Sequence, residues 1–317
     1  MRFIRDFKDG DMVRDIFFCK QKVFAETKNG KTYLSLQLQD KTGVIDAKVW
    51  EPYSPGIRDF EAFDYIEVHG KVTTFAGSLQ MSVDQIYKMD EGEYDPANYF
   101  PCTDKDTEVM YGQLTGFIAT VKTPCLRKLL EKVFVEDKQF AERFKKHSAA
   151  KSMHHGFIGG LLEHTLSVTK LCDYYCTQYD ILNRDLLIAA AMLHDMGKVY
   201  ELSSFPTNDY TDEGQLIGHI VMGSEKVTEL ARDIEGFPVK LLNELKHCIL
   251  AHHGELEYGS PKKPALVEAI ALNFADNTDA KMQTFKEIFA GVSKDNSEWL
   301  GYNRAFESNL RRTTPME

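Results

Sequence analysis

The chain has 317 residues, 43% of them hydrophobic and 27% charged, a composition that predicts two folded domains and excludes a long disordered region. Its net charge of −10 excludes a protein that coats nucleic acid through overall charge, but not an enzyme that grips a short stretch of strand locally. Because the chain has no signal-peptide core and no apolar run of membrane-spanning length, we expect a cytoplasmic protein without membrane contact.

The six cysteines form no CxxC pair, and most lie in apolar contexts. This pattern is typical of reduced thiols in the core of a cytoplasmic protein. Cys172 and Cys176 are one helical turn apart, and we interpret them as small core residues rather than as a metal-binding pair.

The first ninety residues have the pattern of β-strands. Alternation in "KTYLSLQLQD" and "VIDAKVW" predicts a hairpin whose inward side chains are Leu34, Leu36, Leu38, Ile45, Ala47 and Val49. One strand precedes this hairpin and two follow it, with "SPGIRDFEAF" predicted as a short helix before the fourth strand. This order predicts an all-β OB-fold barrel over residues 1–90, although other small barrels give similar patterns.

The acidic segment at residues 91–108 carries two prolines and no periodicity, and it is predicted to be a linker. Beyond it, apolar residues recur at spacings of three and four. Residues 109–317 are therefore predicted to form an all-α bundle.

Histidines and carboxylates occur in this second region where apolar side chains would be expected. Each lies within or at the end of an apolar helical pattern, and the set is His164, His194, Asp195, His219, His252, His253 and Asp276. An unpartnered buried polar group costs on the order of 1–3 kcal/mol, and a shared metal site would remove that cost. The mixture of imidazole and carboxylate without thiolate favours manganese, iron, cobalt or zinc in a non-structural site.

His164, the His194–Asp195 pair and Asp276 resemble the H…HD…D signature of the HD-domain metal-dependent phosphohydrolases. The stretches "HHGFIGGLLEHT", "HDMGK", "GHI" and "AHHGE", behind an OB-fold, are similar to the YhaM-type 3′→5′ exoribonucleases of Gram-positive bacteria. The resemblance covers nearly the whole chain. It implies an HD-domain phosphohydrolase that acts on RNA.

The resemblance also implies a ligand set. His164, His194, Asp195 and Asp276 match the signature, with Asp195 as the bridge between two divalent cations. His219 and one or both of His252 and His253 match ligands of the second cation. We expect Mn²⁺ first, with Co²⁺, Fe²⁺ or Zn²⁺ as alternatives.

Two departures narrow the expected activity. "HHGELEYGSP" lacks the GYP triplet of the HD-GYP phosphodiesterases, and Gly160 stands where a third-metal glutamate would be expected. Cyclic dinucleotide hydrolysis and a third metal are therefore not predicted.

Three further residues are candidates for work at the reacting phosphate. Lys198, one turn beyond His194, is placed either to contact a phosphate oxygen or to brace Asp195, with a snorkelling surface lysine as the alternative. His154 and His155 precede the first ligand helix and are predicted to contact substrate phosphate or to donate a proton to the leaving 3′-oxygen, with a structural role at the start of the helix as the alternative. Glu163 is predicted to be a supporting residue rather than a base.

The barrel supplies a reason for a polymeric substrate, because single strands bind OB-folds through stacking and local cations. The candidates on the outward face and at a loop tip are Tyr33, Lys48, Trp50 and Phe75. Each of these taken singly has the alternative of being mere surface or barrel-end packing.

Together the patterns predict an enzyme that hydrolyses single-stranded RNA, and single-stranded DNA as a further substrate, to nucleoside 5′-monophosphates. A water activated between two metals would attack the phosphodiester. The 3′→5′ polarity is implied only by the resemblance. The alternatives are a phosphohydrolase of small nucleotides and a non-catalytic single-strand-binding protein with a metal-stabilised helical domain. The sequence leaves the oligomeric state open, a homo-oligomer included.

Overall fold

The computed structural model describes residues 2–27, 29–151, 155–290, 292–293, 296 and 298–314. The chain divides into two compact units, residues 1–102 and 103–317. Among the described helices, none combines the length and apolar character that a membrane span requires.

The first unit is a closed five-stranded barrel, as the sequence predicts. Its strands are β1 (Met12–Glu26), β2 (Thr32–Asp40), β3 (Gly43–Val49), β4 (Tyr65–Phe75) and β5 (Ser78–Lys88). They follow the order β1-β2-β3-β5-β4, in which β3 and β5 pair in parallel and the other neighbours pair antiparallel. The all-β prediction for this part of the chain is confirmed.

Alternation along β2 and β3 sets the core of the barrel. Leu36 lies opposite Ala47, and Leu38 lies opposite Ile45, in the antiparallel register of the two strands. All six residues predicted to face inward are buried. Because side chains alternate across a strand, the same register turns Ser35 and Lys48 outward.

The predicted short helix before β4 is wrong. Residues 54–63 run as turns and extended chain, with Ile57 bridged to Ile86 of β5 and Phe60 buried in the barrel core. The amide of Arg58 donates to the carbonyl of Ile86 at 3.0 Å. Hydrogen bonding to the neighbouring strand therefore replaces the local bonds that a helix would need.

The segment expected as a linker, residues 91–108, holds local structure. A 3-10 turn spans Pro96–Asn98, and the ring of Phe100 packs at 4.8 Å from the ring of Phe18 in β1. The first helix begins at Thr107, where Asp106 accepts hydrogen bonds from two backbone amides of the first turn. Aromatic burial thus gives the first part of this segment a place in the barrel unit.

The second unit is helical, and this prediction is also confirmed. Its helices are α1 (Thr107–Thr120), α2 (Pro124–Glu131), α3 (Lys138–Lys146), α4 (Gly160–Gln178), α5 (Arg184–Leu193), α6 (Lys198–Glu201), α7 (Asp212–Leu216), α8 (His219–Arg232), α9 (Val239–Ala251) and α10 (Val267–Ala290). A short hairpin of β6 (Tyr302–Asn303) and β7 (Ser308–Asn309) follows α10. Helix α5 packs against α4, α9 and α10, so the elements carrying the candidate residues meet around it.

Candidate metal centre

Helix α5 places the adjacent His194 and Asp195 inside the helical unit. Its small residues Ala189, Ala190 and Ala191 are fully buried, which lets neighbouring helices approach closely. The helix ends at Leu193, and His194 and Asp195 follow with almost no exposed surface. A buried helix can finish on these two polar residues because other polar side chains converge on its end.

Helix α4, which carries His164 to the same point, begins at Gly160. A Cβ on Gly160 would lie 2.0 Å from the carbonyl oxygen of His155, so only glycine lets the helix start this close to the preceding chain. A glutamate at this position would collide with that backbone. The structure thus gives a steric reason for the glycine that departs from the third-metal pattern.

Four side chains form what we call the first group: His164, His194, Asp195 through Oδ2, and Asp276 of α10. His164 Nε2 lies 3.3 Å from His194 Nε2, 3.4 Å from Asp195 Oδ2 and 3.2 Å from Asp276 Oδ1. His194 Nε2 lies 3.4 Å from the same oxygen of Asp195. Two imidazoles and two carboxylates thus point their ligand atoms at one small volume.

The second group contains the other oxygen of Asp195, together with His219, His252 and His253. Asp195 Oδ1 lies 3.5 Å from His219 Nε2 and 3.7 Å from His252 Nε2. The three histidines each offer a ring nitrogen within 4.8 Å of the other two. The carboxylate of Asp195 therefore faces both groups, one oxygen toward each.

The second group fits a cation because its buried atoms have no other partner. Asp195 Oδ1, His219 Nε2 and His252 Nε2 are inaccessible to solvent and lack a hydrogen-bond partner in the described part of the chain. Leaving such groups unpaired costs on the order of 1–3 kcal/mol each. A divalent cation bound by nitrogen and oxygen ligands would remove that cost.

Every histidine of the two groups has its Nδ1 atom occupied. His164 Nδ1 donates to Asp279 at 2.7 Å, and His219 Nδ1 donates to Glu201 at 2.9 Å. The other three donate to backbone carbonyls: His194 to Ala191 at 2.8 Å, His252 to Ile249 at 2.6 Å and His253 to Tyr258 at 2.8 Å. Because each Nδ1 is engaged in this way, Nε2 is the ring nitrogen left to bind a metal in each of the five histidines.

The electrostatics of the cluster favour bound cations. Burial alone would raise the pKa of Asp195, but the Lys198 ammonium and the imidazole of His194 hold that pKa well below its usual range. Burial keeps the pKa of His252 well below its usual value, so this imidazole is neutral. Carboxylates that stay ionised beside a neutral imidazole form a donor set suited to a divalent metal.

A cavity of about 490 Å³ opens at the cluster, a size within the range of small-ligand sites. One wall of this cavity is a single face of α10, which contributes four residues at helical spacing: Asn273, Asp276, Asn277 and Ala280. The other wall includes Lys198, His253, Gly254, Glu255 and Tyr258. Asp276 and His164 therefore belong both to the first group and to the cavity wall.

Lys198 lies against the carboxylate that faces both groups. Its Nζ atom donates to Asp195 Oδ2 at 2.7 Å, and its side chain is mostly buried. Burial lowers the pKa of Lys198, but the charge of Asp195 outweighs it, and the net pKa is raised. Of the two roles that the sequence leaves open, the observed contact matches bracing Asp195, and the position in the cavity wall also allows phosphate contact.

His155 occupies a different place from the one expected for a substrate contact. It is 1% exposed, and its Nε2 atom donates to Asp279 at 2.9 Å, behind His164. It lines a smaller cavity of about 170 Å³ rather than the larger one. These contacts match the alternative in which His155 shapes the start of α4, and the role in phosphate contact or proton donation stays a prediction. His154 lies outside the described residues.

Glu163 also lines the smaller cavity, where it accepts a hydrogen bond from Thr103 at 2.5 Å and pairs with Lys105 at 2.8 Å. The carboxylate is 5% exposed, and these contacts tie the start of α4 to the chain before α1. This arrangement matches a supporting residue rather than a base.

On the barrel, three of the four predicted contact residues lie together. The rings of Tyr33 and Trp50 are 5.2 Å apart, and the Lys48 ammonium lies 5.6 Å from the ring of Tyr33. Phe75 is 71% exposed at the turn between β4 and β5. Since β5 runs parallel to β3, this turn lies toward the start of β3, away from Trp50 at its end.

The sequence analysis missed four residues, two on the barrel surface and two behind the histidines of the metal centre. Phe24 and Tyr53 stack near the barrel end with 6.4 Å between rings, and both are exposed. Asp279 and Glu201 stand behind His164 and His219. Only Asp279 carried a usable signal, because it lies three residues after Asp276 and so on the same side of α10.

Comparisons with known proteins match both units. Residues 16–89 match the OB-fold nucleic acid binding domain family, and residues 161–281 match the HD domain family. The second match begins in α4 and contains His164, His194, Asp195 and Asp276.

Curated relatives extend the likeness over most of the chain. Three proteins named 3′-5′ exoribonuclease YhaM illustrate it. The protein of Geobacillus sp. is 33% identical, covering 86% of this chain and 83% of that protein. The protein of Bacillus velezensis is 36% identical, covering 86% of each chain. The protein of Listeria monocytogenes is 34% identical, covering 89% of this chain and 90% of that protein. At this identity and coverage, the chain belongs to the YhaM family of 3′-5′ exoribonucleases.

Proposed function

We propose that this protein is a metal-dependent 3′→5′ exoribonuclease that removes nucleoside 5′-monophosphates from single-stranded RNA. Single-stranded DNA is the further substrate that we expect. One observation carries the proposal: Asp195 directs its two oxygens to two groups of histidines beside an open cavity. The 3′→5′ direction is supported by membership of the YhaM family.

The residues of the two groups would hold two divalent cations, with Mn²⁺ as our first candidate. Such cations supply neutralisation of phosphodiester oxygens and lower the pKa of bound water. The chain contributes fixed imidazole tautomers, through the Nδ1 bonds, and a carboxylate that stays ionised in the interior. These features spare the site the cost of reorganising when a phosphate arrives.

The cavity wall suits an anionic substrate only with cations present. Asp276 brings negative charge to the wall, Glu255 is paired with Lys263, and Lys198 is already paired with Asp195. The described side chains of the wall therefore offer a phosphodiester no cation that is free of a carboxylate. We therefore infer that phosphate binding and metal binding are coupled in this site.

The barrel would bind the single strand of the substrate. Tyr33 and Trp50 offer partly exposed rings beside the Lys48 ammonium. Base stacking on such rings is worth about 1–3 kcal/mol per base and tolerates any sequence. A protein with a net charge of −10 can bind a polyanion through such a local surface. The exposed pair Phe24 and Tyr53 offers additional stacking area.

The proposal is tested by a time course on 5′-labelled single-stranded RNA with manganese, magnesium, zinc or chelator. We expect a ladder that shortens from the 3′ end, requires metal and is lost in His194→Ala. A matched control is His247→Ala, because His247 accepts a hydrogen bond from the Ala265 amide outside both groups. That variant should retain near wild-type activity.

Two results would contradict the proposal. An RNA strand left intact with every metal, while small nucleotides are hydrolysed, would favour a nucleotide phosphohydrolase. Full activity of His194→Ala after metal depletion and resupply would remove the assignment of the first group.

A further inference from the structure

We propose that Asp279 is a positioning residue that fixes the imidazole of His164, with His155 as its anchor, and thereby sets the affinity of the first group for its cation. This inference rests on the proposed function, since it concerns the same metal centre. It assigns work to two residues that touch neither the larger cavity nor the expected metal position.

The contact geometry carries the argument. A single oxygen of Asp279, Oδ2, accepts from His164 Nδ1 at 2.7 Å and from His155 Nε2 at 2.9 Å. Two ring N–H groups aimed at one oxygen favour the ionised carboxylate, because hydrogen bonds donated to the charged form stabilise it. The negative charge therefore sits directly behind His164. It fixes the ring orientation and makes Nε2 a stronger electron donor.

His155 is held in place at a conformational cost. Its φ of +58° lies in the left-handed region, where a residue other than glycine is uncommon. Its amide donates to Glu287 at 3.2 Å, and its carbonyl accepts from the amide of Ala149 at 3.0 Å. Strain of this kind, on the order of 1–3 kcal/mol, persists where surrounding structure enforces it and clusters at functional sites.

The close approach of the His155 backbone to the start of α4 also helps to hold His155 in place. Gly160 permits the carbonyl of His155 to lie against the first turn of the helix that carries His164. The side chain of His155 then reaches Asp279 on α10, so two elements distant in sequence hold one imidazole. A helix boundary without a functional role would not need a buried histidine at this point.

Each of the two groups contains one histidine whose Nδ1 donates to a carboxylate. In the first group His164 rests on Asp279, while His194 rests on a backbone carbonyl. In the second group His219 rests on Glu201, while His252 rests on a backbone carbonyl. The arrangement predicts that each carboxylate can be altered with its effect confined mainly to its own group.

The experiment is a Mn²⁺ titration of the full chain by calorimetry, with free Mn²⁺ counted by electron paramagnetic resonance. We expect two bound ions in the wild type. Asp279→Asn should weaken one binding event about 10- to 100-fold and leave the other near its wild-type affinity. Glu201→Gln, the comparison variant, should weaken the other event; if Asp279→Asn and Glu201→Gln weakened the same event equally, the assignment of Asp279 to the first group would be wrong.

The matched control is Asp185→Asn. Asp185 accepts hydrogen bonds from the Lys122 and Thr123 amides at 2.9 and 2.7 Å, so the change removes a partly buried charge remote from both groups. We expect lower thermal stability and unchanged Mn²⁺ affinity. This control separates loss of a ligand support from general loosening of the helical unit.

A second variant keeps the test decisive if Asp279→Asn fails to fold. His155→Asn preserves a residue that tolerates positive φ, but its shorter side chain does not reach Asp279. We expect it to weaken the same binding event as Asp279→Asn, by a smaller factor. Wild-type Mn²⁺ affinity in whichever of the two variants folds would overturn the inference. A wild-type chain that binds no divalent metal would instead contradict the proposed function.

Discussion

Lys198 forms an ion pair with Asp195 of the first group, with 2.7 Å between Nζ and Oδ2. The same oxygen lies 3.4 Å from the Nε2 atoms of His164 and His194. The lysine thus fixes one edge of the carboxylate while Oδ1 remains turned toward the second group. Because Lys198 also lines the cavity, removing its charge would change both the orientation of Asp195 and the net charge of the cavity wall.

This pairing predicts the effect of Lys198→Met, which keeps the length of the side chain and removes its charge. We expect kcat on RNA to fall about 10- to 100-fold because Asp195 loses a partner that orients it. Steady-state kinetics with saturating Mn²⁺ measure the effect. Lys226→Met is the control, since Lys226 pairs with the exposed Glu229. A rise in KM with kcat unchanged would show that Lys198 serves phosphate binding instead.

Metal binding should stabilise the fold, because buried atoms of Asp195, His219 and His252 have no partner in the described part of the chain. A cation at one hundred times its Kd stabilises the native state by about 2.7 kcal/mol per site. We expect the thermal midpoint to rise on adding Mn²⁺ and to fall with chelator.

In Asp195→Ala, which removes a ligand from both groups, the midpoint should be nearly insensitive to Mn²⁺, and activity should fall by about three orders of magnitude or more. A full Mn²⁺ response in that variant would contradict the assignment of Asp195.

The aromatic surface of the barrel should contribute to the binding of long single strands and should not affect the hydrolysis of a dinucleotide. Trp50→Ala removes a ring that packs on Tyr33, and we expect the Kd for a long single strand to rise about 5- to 150-fold, the equivalent of 1–3 kcal/mol. Trp50→Phe keeps a stacking ring and should bind nearly as well as the wild type. Hydrolysis of a dinucleotide should be unchanged in both. Equal losses on long and short substrates would argue that the ring has a structural role only.

Thiol reactivity offers a pH-dependent test of both cores, with Cys19 in the barrel and Cys248 in the helical unit. Burial raises the pKa of Cys19 to about 12, and burial likewise raises the pKa of Cys248 to about 12. Because the folded-state pKa lies above the usual value, the native thiol keeps its proton as pH rises from 7 to 9. We therefore expect iodoacetamide to leave both residues unmodified over this range, as measured by mass spectrometry of native protein.

Cys125 is partly exposed and provides the reference for that measurement. Unfolding should make all of these thiols reactive, since the raised pKa depends on burial. Alkylation of native Cys19 at pH 8, at the rate seen for Cys125, would mean that the barrel opens in solution.

Local periodicity was enough for much of the fold. Alternation along β2 and β3 predicted which leucines and valines fill the barrel, because side-chain direction repeats every two residues in a strand. Spacings of three and four predicted the helices. Histidines standing at apolar positions of those helices predicted a shared metal centre, since a helix face that is otherwise buried carries its polar residues inward as well.

The sequence by itself determined the strands, most of the helices and the residue types that a metal centre needs, because these depend on neighbours a few positions away. Only the tertiary structure decided the rest. It turned His155 behind His164, joined both to Asp279, divided the ligand atoms between the two oxygens of Asp195, and replaced the expected helix at residues 54–63 with chain bonded to β5. Each of these outcomes depends on contacts between segments far apart along the chain, and a local pattern of residues does not fix which segments meet.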